Sequence, residues 1–548
     1  MNHSHWNNKQ DLLSIVKRLV KVASISGTNG ENKMVKEIRD ILSDIPYYSQ
    51  LPEYIIEEEI KGDTLGRSAI AALYKSSKNT DKTIVLLSHY DVVDIEDYGH
   101  LKEYAFFPDE YTSLLKNEEI PSDAKEDLQS GDWLFARGIM DMKAGLALHI
   151  GLISETSMAG WDGNIVLLSV PDEERNSEGM FAGVELLTSL KDKHGLNYEV
   201  CICSEPNFAS YPGDRNKYVY LGSVGKLLPL VYCKGKETHV GEPLEGVNAS
   251  WMASSFTNEM ELNELFIEEK YGEKVSLPTC LKLEDLKQLY NVQTPTSAYV
   301  LYNVLTLTQS PEQILEKITQ VARDSSNLIH GRIQKAYRKM GNENAMDISR
   351  LKPKVFTYSE LYAIGVERYG DQFVSEVKSI LEKETDPQFD LRKLTVSIAE
   401  GISQFCNDLA PFYLVMLAPP YYPHVSLTKG DKREQRIKDL STSIIEFAQN
   451  EFNEELKLLY YFAGLSDVSY CRLVGGEGTI ATLENEMPLY GKKYLLPLEK
   501  IESLDIPTIN LGPFGKDAHK RTERLHIPYS FEIAPMLLKQ AVKQVFEE

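Results

Sequence analysis

Short apolar runs in this chain end in a histidine or an acid, and helical patterns separate one run from the next. The residues concerned are His89 after TIVLLS, Glu173 with Glu174 after NIVLLSVPD, and Glu205 after YEVCICS. Strands that alternate with helices indicate a largely parallel sheet covered by helices on both faces. The carboxyl ends of the strands form the ligand crevice of such a sheet. We therefore predict an α/β protein in which these distant polar residues meet.

Two further residues complete a set of metal ligands. Asp141 begins a helical pattern in RGIMDMKAG, and His519 lies in GPFGKDAHKRTE. Two histidines and three carboxylates suffice for a pair of divalent ions if one carboxylate bridges the ions. One member of the Glu173–Glu174 pair is then left over as a base toward water. The ligand count thus predicts a two-metal hydrolase.

Plain structural roles compete with this hypothesis at each position taken alone. Asp141 could be an acid that the helix N-terminus favours, and Glu173 with Glu174 could be two solvated loop acids. His89 and Asp91 are two residues apart, so in an extended segment their side chains point to the same face. The Asp91 carboxylate could therefore hold the second ring nitrogen of His89 and fix its tautomer.

Bulk properties narrow the class of protein. A chain of 548 residues is longer than a domain with a single hydrophobic core usually is, so more than one domain is expected. A formal charge of −22 without a basic stripe argues against a nucleic-acid partner. The N-terminus lacks a secretory h-region, and no apolar stretch approaches a membrane span of roughly 20 residues. The six cysteines form no disulfide framework. We expect a cytoplasmic protein without a membrane partner.

The order of elements divides the chain. After Tyr220 a β-α-β-β-α pattern indicates a compact α+β unit. Later apolar runs at 410–420, 456–464 and 506–513 are expected to be further strands of the first sheet, so the middle unit is an insertion. The predicted domains are a first α/β part at 1–221, an inserted α+β unit at 222–345, a helical extension at 346–399 that the pattern assigns to neither, and a second α/β part at 400–548.

Six motifs carry a resemblance to a known family. In chain order they are HYD, RGIMDMKAG, PDEERNSEG, SEP, KGKETHVGEPLEGVNA and GPFGKDAHKRTE. They resemble the motifs of the zinc aminoacylase/carboxypeptidase G family, which includes acetylornithine deacetylase and succinyl-diaminopimelate desuccinylase. Among its branches the chain most resembles the arginine-utilisation (RocB-like) hydrolases. The resemblance implies a zinc-exopeptidase-like α/β fold in which 1–221 and 400–548 form the catalytic domain and 222–345 is an inserted lid or dimerisation domain.

The resemblance also implies a division of the metal ligands. His89 and Glu205 would hold one ion, Glu174 and His519 would hold the other, and Asp141 would bridge the two. The ions would be zinc, with cobalt or manganese as alternatives. A cis peptide bond between Asp141 and Met142 is implied as well.

Three further roles follow from the same resemblance. Asp91 would orient His89, Glu173 would be the general base, and His239 of the lid would stabilise the oxyanion from its own or a partner subunit. The segment 94–130, which lengthens the distance between His89 and Asp141, and the stretch 345–400 both depart from the family pattern. Either could reshape the pocket or block the usual lid-to-lid homodimer.

These implications give a functional expectation. The chain would be a di-zinc amidohydrolase or metallopeptidase, of deacylase or carboxypeptidase type, that cleaves a small N-acyl amino acid or short peptide, with a place in arginine or amino-acid catabolism. The alternative is a non-catalytic metal-binding or regulatory protein that keeps the hydrolase fold.

Overall fold

The computed structural model describes residues 8–207, 214, 216–341, 347–383, 389–427 and 429–547. The strands of this part of the chain are β1 Ile55–Glu59, β2 Ser68–Tyr74, β3 Lys82–His89, β4 Trp133–Phe135, β5 Asn164–Val170, β6 Asn197–Cys203, β7 Lys217–Tyr220, β8 Gly225–Lys234, β9 Glu269–Lys270, β10 Glu273–Lys274, β11 Thr279–Asp285, β12 Ser297–Thr306, β13 Lys354–Thr357, β14 Phe412–Tyr422, β15 Leu456–Leu459, β16 Thr508–Asn510, β17 Gly515–Lys516 and β18 Arg524–His526.

The helices are α1 Lys9–Val20, α2 Gly30–Ser43, α3 Pro46–Gln50, α4 Pro108–Leu114, α5 Ser122–Ser130, α6 Ala144–Ala159, α7 Glu178–His194, α8 Ala249–Met260, α9 Pro311–Lys339, α10 Tyr358–Tyr369, α11 Asp371–Lys383, α12 Leu391–Phe405, α13 Lys432–Phe452, α14 Gly476–Glu486, α15 Leu498–Leu504 and α16 Ala534–Glu547. Short 3₁₀ helices include Glu96–Tyr104 and Leu115–Asn117, and a π-helical turn at Ile139–Lys143 precedes α6. Within the described ranges, no helix is long and apolar enough to cross a membrane.

The chain forms two compact units. The first unit contains the described residues up to Val224, Val425–Leu473 and the described residues from Pro497 onward. The second unit contains the described residues of Gly225–His424 together with Val474–Leu496. The second unit is thus inserted twice into the sequence of the first, and the described part of 346–399 belongs to it.

The first unit is built on an eight-stranded sheet in the order β1-β2-β5-β3-β6-β16-β7-β15. Its centre, from β5 through β3 and β6 to β16, is parallel, whereas β1–β2, β2–β5 and β16–β7 are antiparallel. Every residue of β5 is buried, because helices cover both faces. Ile165 and Leu167 join the core packed by α1, α6 and α16. Leu168 and Val170 face Gly183 of α7 on the other side, as strand alternation requires.

The second unit contains a five-stranded sheet in the order β11-β12-β8-β14-β13, and its helices α8, α9 and α12 pack on that sheet. The prediction that 410–420 belongs to the first sheet is wrong, since β14 pairs with β8 and β13 here. The predicted boundary at 400 is therefore too early. All 11 residues of β14 are buried, and a continuous apolar run carries no pattern that tells one sheet from another. The other two runs contain β15 and β16, which do pair within the first sheet.

Candidate metal centre

Three adjacent parallel strands deliver most of the predicted ligands. His89 is the last residue of β3, which lies between β5 and β6. Glu173 and Glu174 follow β5, and Glu205 follows β6. Because parallel strands end at the same edge of the sheet, these side chains converge there.

Asp141 lies in the π-helical turn before α6, and its bond to Met142 is cis, as the family resemblance implied. Its two carboxylate oxygens face different histidines. Oδ1 lies 3.1 Å from His89 Nε2, and Oδ2 lies 3.3 Å from His519 Nε2. A carboxylate oriented in this way can bridge two cations.

Two groups of ligand atoms share Asp141. One group is His89, Asp141 and Glu205, and the other is Asp141, Glu174 and His519; the ligand atoms of each group lie within 4.8 Å of one another. His89 Nε2 is 3.6 Å from Glu205 Oε1, and His519 Nε2 is 3.0 Å from Glu174 Oε1. This grouping matches the predicted ligand sets for two ions. The roles of the ligands stay predictions.

Glu173 lies beside both groups. His89, Glu173 and Glu174 form a third set whose ligand atoms meet the same 4.8 Å limit. Distance alone therefore does not distinguish a ligand from a base within the Glu173–Glu174 pair. Glu173 is half-buried. Burial of its carboxyl group raises its pKa, and the nearby Glu205 carboxylate raises the pKa further.

Asp91 is fully buried and organises two parts of the centre. Its backbone carbonyl accepts a hydrogen bond from His89 Nδ1 at 3.1 Å, closer than the 3.5 Å between that nitrogen and Asp91 Oδ1. The carboxylate instead accepts from the backbone N–H of Glu173 at 3.2 Å and of Glu174 at 3.3 Å, and from Ser26 Oγ at 2.6 Å. Burial opposes the charge on Asp91, but its hydrogen bonds with His89 and Ser26 outweigh burial and lower its pKa.

A buried charge cluster that the sequence did not reveal supports the Glu173–Glu174 loop. Arg67 Nη1 donates to Asp172 Oδ1 at 2.6 Å and lies 3.4 Å from Glu31. The backbone N–H of Asp172 donates to Glu31 Oε1 at 3.1 Å, and Asp172 adopts a φ of 67°. Burial raises the pKa of Glu31 to about 8. Only the adjacency of Asp172 to Glu173 could have indicated this cluster.

Glu523 supports Asp141 from the opposite side. Its Oε1 accepts from the backbone N–H of Met140 at 3.2 Å and of Asp141 at 3.5 Å, and its Oε2 accepts from Arg137 Nη1 at 3.0 Å. Burial raises the pKa of Glu523 to about 7, although Arg137 opposes the rise. The carboxylate therefore fixes the backbone that presents Asp141.

Asp467 is a further buried acid that the ligand count did not include. It begins a 3₁₀ helix in the first unit. Burial raises its pKa to about 8, whereas His89 and a hydrogen bond with Ser177 lower it. Asp467 also contributes to the raised pKa values of Glu173 and Glu205.

Electrostatics favour cations at this position. Burial raises the pKa values of Glu174 and Glu205, and neighbouring carboxylates raise them further. Hydrogen bonds with Asp141 and Glu174 raise the pKa of His519 to about 10. Burial opposes the charge on Asp141, yet its hydrogen bonds with His519 and His89 lower its pKa. Clustered carboxylates with two histidines are a donor set that fits divalent metal ions, because only compensating positive charge offsets the cost of their burial.

His239, the predicted oxyanion residue, lies in the second unit. Its side chain is exposed, and its Nδ1 accepts a hydrogen bond from the backbone N–H of Gly241 at 3.1 Å. His239 also forms an isolated antiparallel bridge with Gln293. These local contacts do not bear on catalysis, so its role stays a prediction.

Comparisons with known proteins bear on the same conclusions. The sequence profile of Peptidase family M20/M25/M40 matches residues 85–379. The chain is 37% identical to Uncharacterized protein YqjN of Bacillus subtilis, covering 99% of this chain and 98% of YqjN. It is 28% identical to Protein RocB of the same organism, covering 99% of this chain and 96% of RocB.

A solved structure supports the fold. Aminopeptidase PepT from Bacillus cereus matches with a TM-score of 0.52 at 13% identity, covering 98% of this chain and 99% of PepT. The predicted α/β fold class and the family resemblance are confirmed. The general prediction of a metal-dependent hydrolase is confirmed as well. By its sequence profile and its full-length relative, the chain belongs to Peptidase family M20/M25/M40.

Proposed function

We propose that this protein is a two-metal hydrolase that cleaves an amide or peptide bond in a small N-acyl amino acid or short peptide. The observation that best supports this proposal is that two groups of ligand atoms share Asp141. His89 and Glu205 complete one group, and Glu174 and His519 complete the other. Zinc suits this set of imidazole and carboxylate ligands, and cobalt or manganese would also fit. When bound, the ions supply Lewis acidity that polarises a carbonyl and acidifies water.

The protein's own groups would then handle the proton. Glu173 lies next to the ligands but is absent from the two groups that share Asp141. Its raised pKa suits a base that accepts a proton from water and later returns it to the leaving amine nitrogen. Asp91 orients both His89 and the backbone of Glu173, so the base and the ligand shell keep a fixed relation.

The substrate class is proposed from the family resemblance. Its arginine-utilisation branch gives arginine- and ornithine-derived N-acyl compounds priority, with dipeptides next. A role in amino-acid catabolism in the reducing cytoplasm agrees with six cysteines that are all free thiols.

We also propose that the second unit acts as a lid that contributes His239 to the oxyanion, from the same or a partner subunit. In the second unit's sheet β11 is an edge strand, and it exposes Leu281 and Leu283. An exposed apolar edge is suited to pairing with a second copy, which supports a homodimer through this unit.

The test is turnover by the Glu173→Gln variant. Zinc-loaded wild-type protein is assayed against N-acyl amino acids and dipeptides, and the variant is assayed on whichever substrate is cleaved. An amide cannot accept the proton, so we expect kcat to fall by at least about 100-fold. Zinc content, measured by elemental analysis, should stay at two equivalents.

Glu185→Gln is the matched control, because that carboxylate pairs with Lys61 and Lys500 instead of the metal ligands. Full turnover by Glu173→Gln with two bound zinc ions would show that the assigned base is wrong. A wild-type protein that binds two ions and cleaves none of these compounds would favour the non-catalytic alternative.

A further inference from the structure

The segment 94–130 forms a folded structure of its own between His89 and Asp141. It contains the 3₁₀ helices Glu96–Tyr104 and Leu115–Asn117 and the helices α4 and α5. Its buried side chains make a separate apolar cluster with Val92 and with side chains of β4; the members are Val92, Tyr98, Leu101, Ala105, Phe106, Tyr111, Leu115, Ala124, Leu128, Trp133 and Phe135. A segment with its own core can serve as a rigid support for a neighbouring loop.

The neighbouring loop is the one that carries His519. Strands β17 and β18 form a hairpin. β18 also pairs with β4, the strand that follows the segment 94–130 in sequence. His519 lies in the turn of this hairpin, with a φ of 64° and a side chain that is 50% exposed. A ligand so exposed on a turn depends on the residues that flank it for its position.

One flank is held by ion pairs with the buried side chain of Arg524. The side chain of Arg524 is fully buried, and its Nε donates to Asp127 Oδ2 at 2.7 Å. Its Nη2 donates to Asp123 Oδ2 at 2.8 Å, and its Nη1 donates to the carboxylate of Asp517. Lys516 Nζ donates to the same Asp127 oxygen at 2.8 Å. Asp517 precedes His519 by two residues, so Arg524 links the segment 94–130 to the turn itself.

The other flank is held by α4 and by the residues that follow the 3₁₀ helix Leu115–Asn117. Tyr111 Oη donates to the backbone carbonyl of Arg521 at 2.6 Å. The Arg521 guanidinium lies 3.7 Å from Glu118 and donates to the carbonyl of Glu119. Residues on both sides of His519 are therefore tied to one inserted segment.

We propose that the segment 94–130 is a positioning element for His519 and so sets the affinity of the metal site that His519 shares with Glu174. Asp127 is its main positioning residue. Removal of the Asp127 charge takes one of three carboxylates from the buried Arg524 guanidinium and the carboxylate partner from Lys516. The weaker hold on Arg524 and Lys516 loosens the backbone on either side of the turn. This inference rests on the proposed metal centre.

The test is metal titration of the Asp127→Asn variant. Apo-protein is titrated with Co²⁺ and followed by its visible absorption and by calorimetry. The first equivalent should bind as in the wild type, and the second should bind about 10–100-fold more weakly, as is usual when residues that orient a ligand are changed. Asp127→Glu, which keeps the charge, should recover most of the second-site affinity.

Asp109→Asn is the matched control, because Asp109 lies in the same segment but pairs with Lys17 of α1. Its two binding constants should equal those of the wild type. Equal loss of both equivalents in Asp127→Asn, or loss of neither, would overturn the proposal.

A second variant covers the case in which Asp127→Asn does not fold. Tyr111→Phe removes a single hydroxyl and its bond to the Arg521 carbonyl, and we expect the second site to weaken by about 2–10-fold. An unchanged second site in this variant would count against the proposal. The readout is metal binding, so a wild-type protein that binds two ions without turnover would refute the proposed function and leave this inference intact.

Discussion

Asp91 shows how one residue can coordinate several parts of a site. Its carbonyl fixes the ring of His89, while its carboxylate gathers the backbone N–H groups of Glu173 and Glu174. The sequence predicted that the Asp91 carboxylate would hold the second ring nitrogen of His89, because a two-residue step keeps side chains on one face. In the structure the backbone carbonyl makes that hydrogen bond, and the carboxylate lies 3.5 Å from the nitrogen. The sequence did not predict that the carboxylate mainly serves the Glu173–Glu174 loop, since that contact joins two strand ends that are far apart in sequence.

At the residue scale we predict that Asp91→Asn weakens metal binding about 10–100-fold. The amide offers one acceptor oxygen where the carboxylate now serves Ser26, Glu173 and Glu174 with two. Isothermal titration of apo-protein with zinc measures the change. Asp94→Asn is the control, since the Asp94 side chain is exposed and accepts from the backbone of Glu96. Unchanged zinc affinity in Asp91→Asn would contradict the role assigned here.

Helix α6 is buried nearly all round and connects Asp141 to the end of β6. A Cβ at Gly145 would lie 2.3 Å from the Ser204 carbonyl oxygen, so only glycine permits this approach. One turn later, His149 Nε2 lies 2.8 Å from Ser204 Oγ, which itself donates to the Leu511 carbonyl. The helix thereby holds the strand end that presents Glu205.

At the element scale this contact predicts a pH dependence of stability. Burial lowers the pKa of His149 to about 3, whereas an unfolded chain titrates near 6.5. Between these values only the unfolded chain binds the proton, so stability is lost as the pH falls. We expect the wild type to lose about 2 kcal/mol more than His149→Gln between pH 6.5 and pH 5, at about 1.4 kcal/mol per unit.

Urea unfolding at several pH values measures this difference. Ser204→Ala is the control, because it removes the same hydrogen bond without removing the titrating group. It should keep the wild-type dependence on pH at a lower overall stability. A His149→Gln variant with the wild-type slope would show that this histidine is not the cause.

On the scale of the whole molecule, the ligands join segments from His89 to His519 within the first unit. Without metal ions, raised pKa values on Glu173, Glu174 and Glu205 mean that the folded state binds protons that the unfolded chain has released. The contribution of these three groups to the stability of the metal-free protein therefore falls as the pH rises above about 4.5. Metal ions displace those protons.

We predict that stabilisation by zinc is larger at pH 8 than at pH 6. Free zinc at 100 times its Kd would add about 2.7 kcal/mol. Thermal unfolding with zinc and with a chelator, at both pH values, gives the difference in Tm. A difference that is the same at both values, or larger at pH 6, would contradict the electrostatic account of the centre.

Sequence reasoning was most successful where pattern and chemistry coincide. The apolar runs TIVLLS and NIVLLS were recognised as strands and form β3 and β5, because buried parallel strands are continuous apolar segments between helices. The candidate ligands were found because they follow those strands. β14 was assigned to the wrong sheet, and the Glu31–Arg67–Asp172 cluster was missed, because both depend on partners distant in sequence.

The position of His519 in a hairpin near the end of the chain has a consequence for synthesis. A growing polypeptide contains His89, Asp141 and Glu205 long before it contains β16, which pairs with β6 and β7, or the turn that bears His519. A nascent chain can thus contain all three members of one ligand group while the other group still lacks its histidine. Assembly of the second group therefore has to wait until the turn that bears His519 has been synthesised.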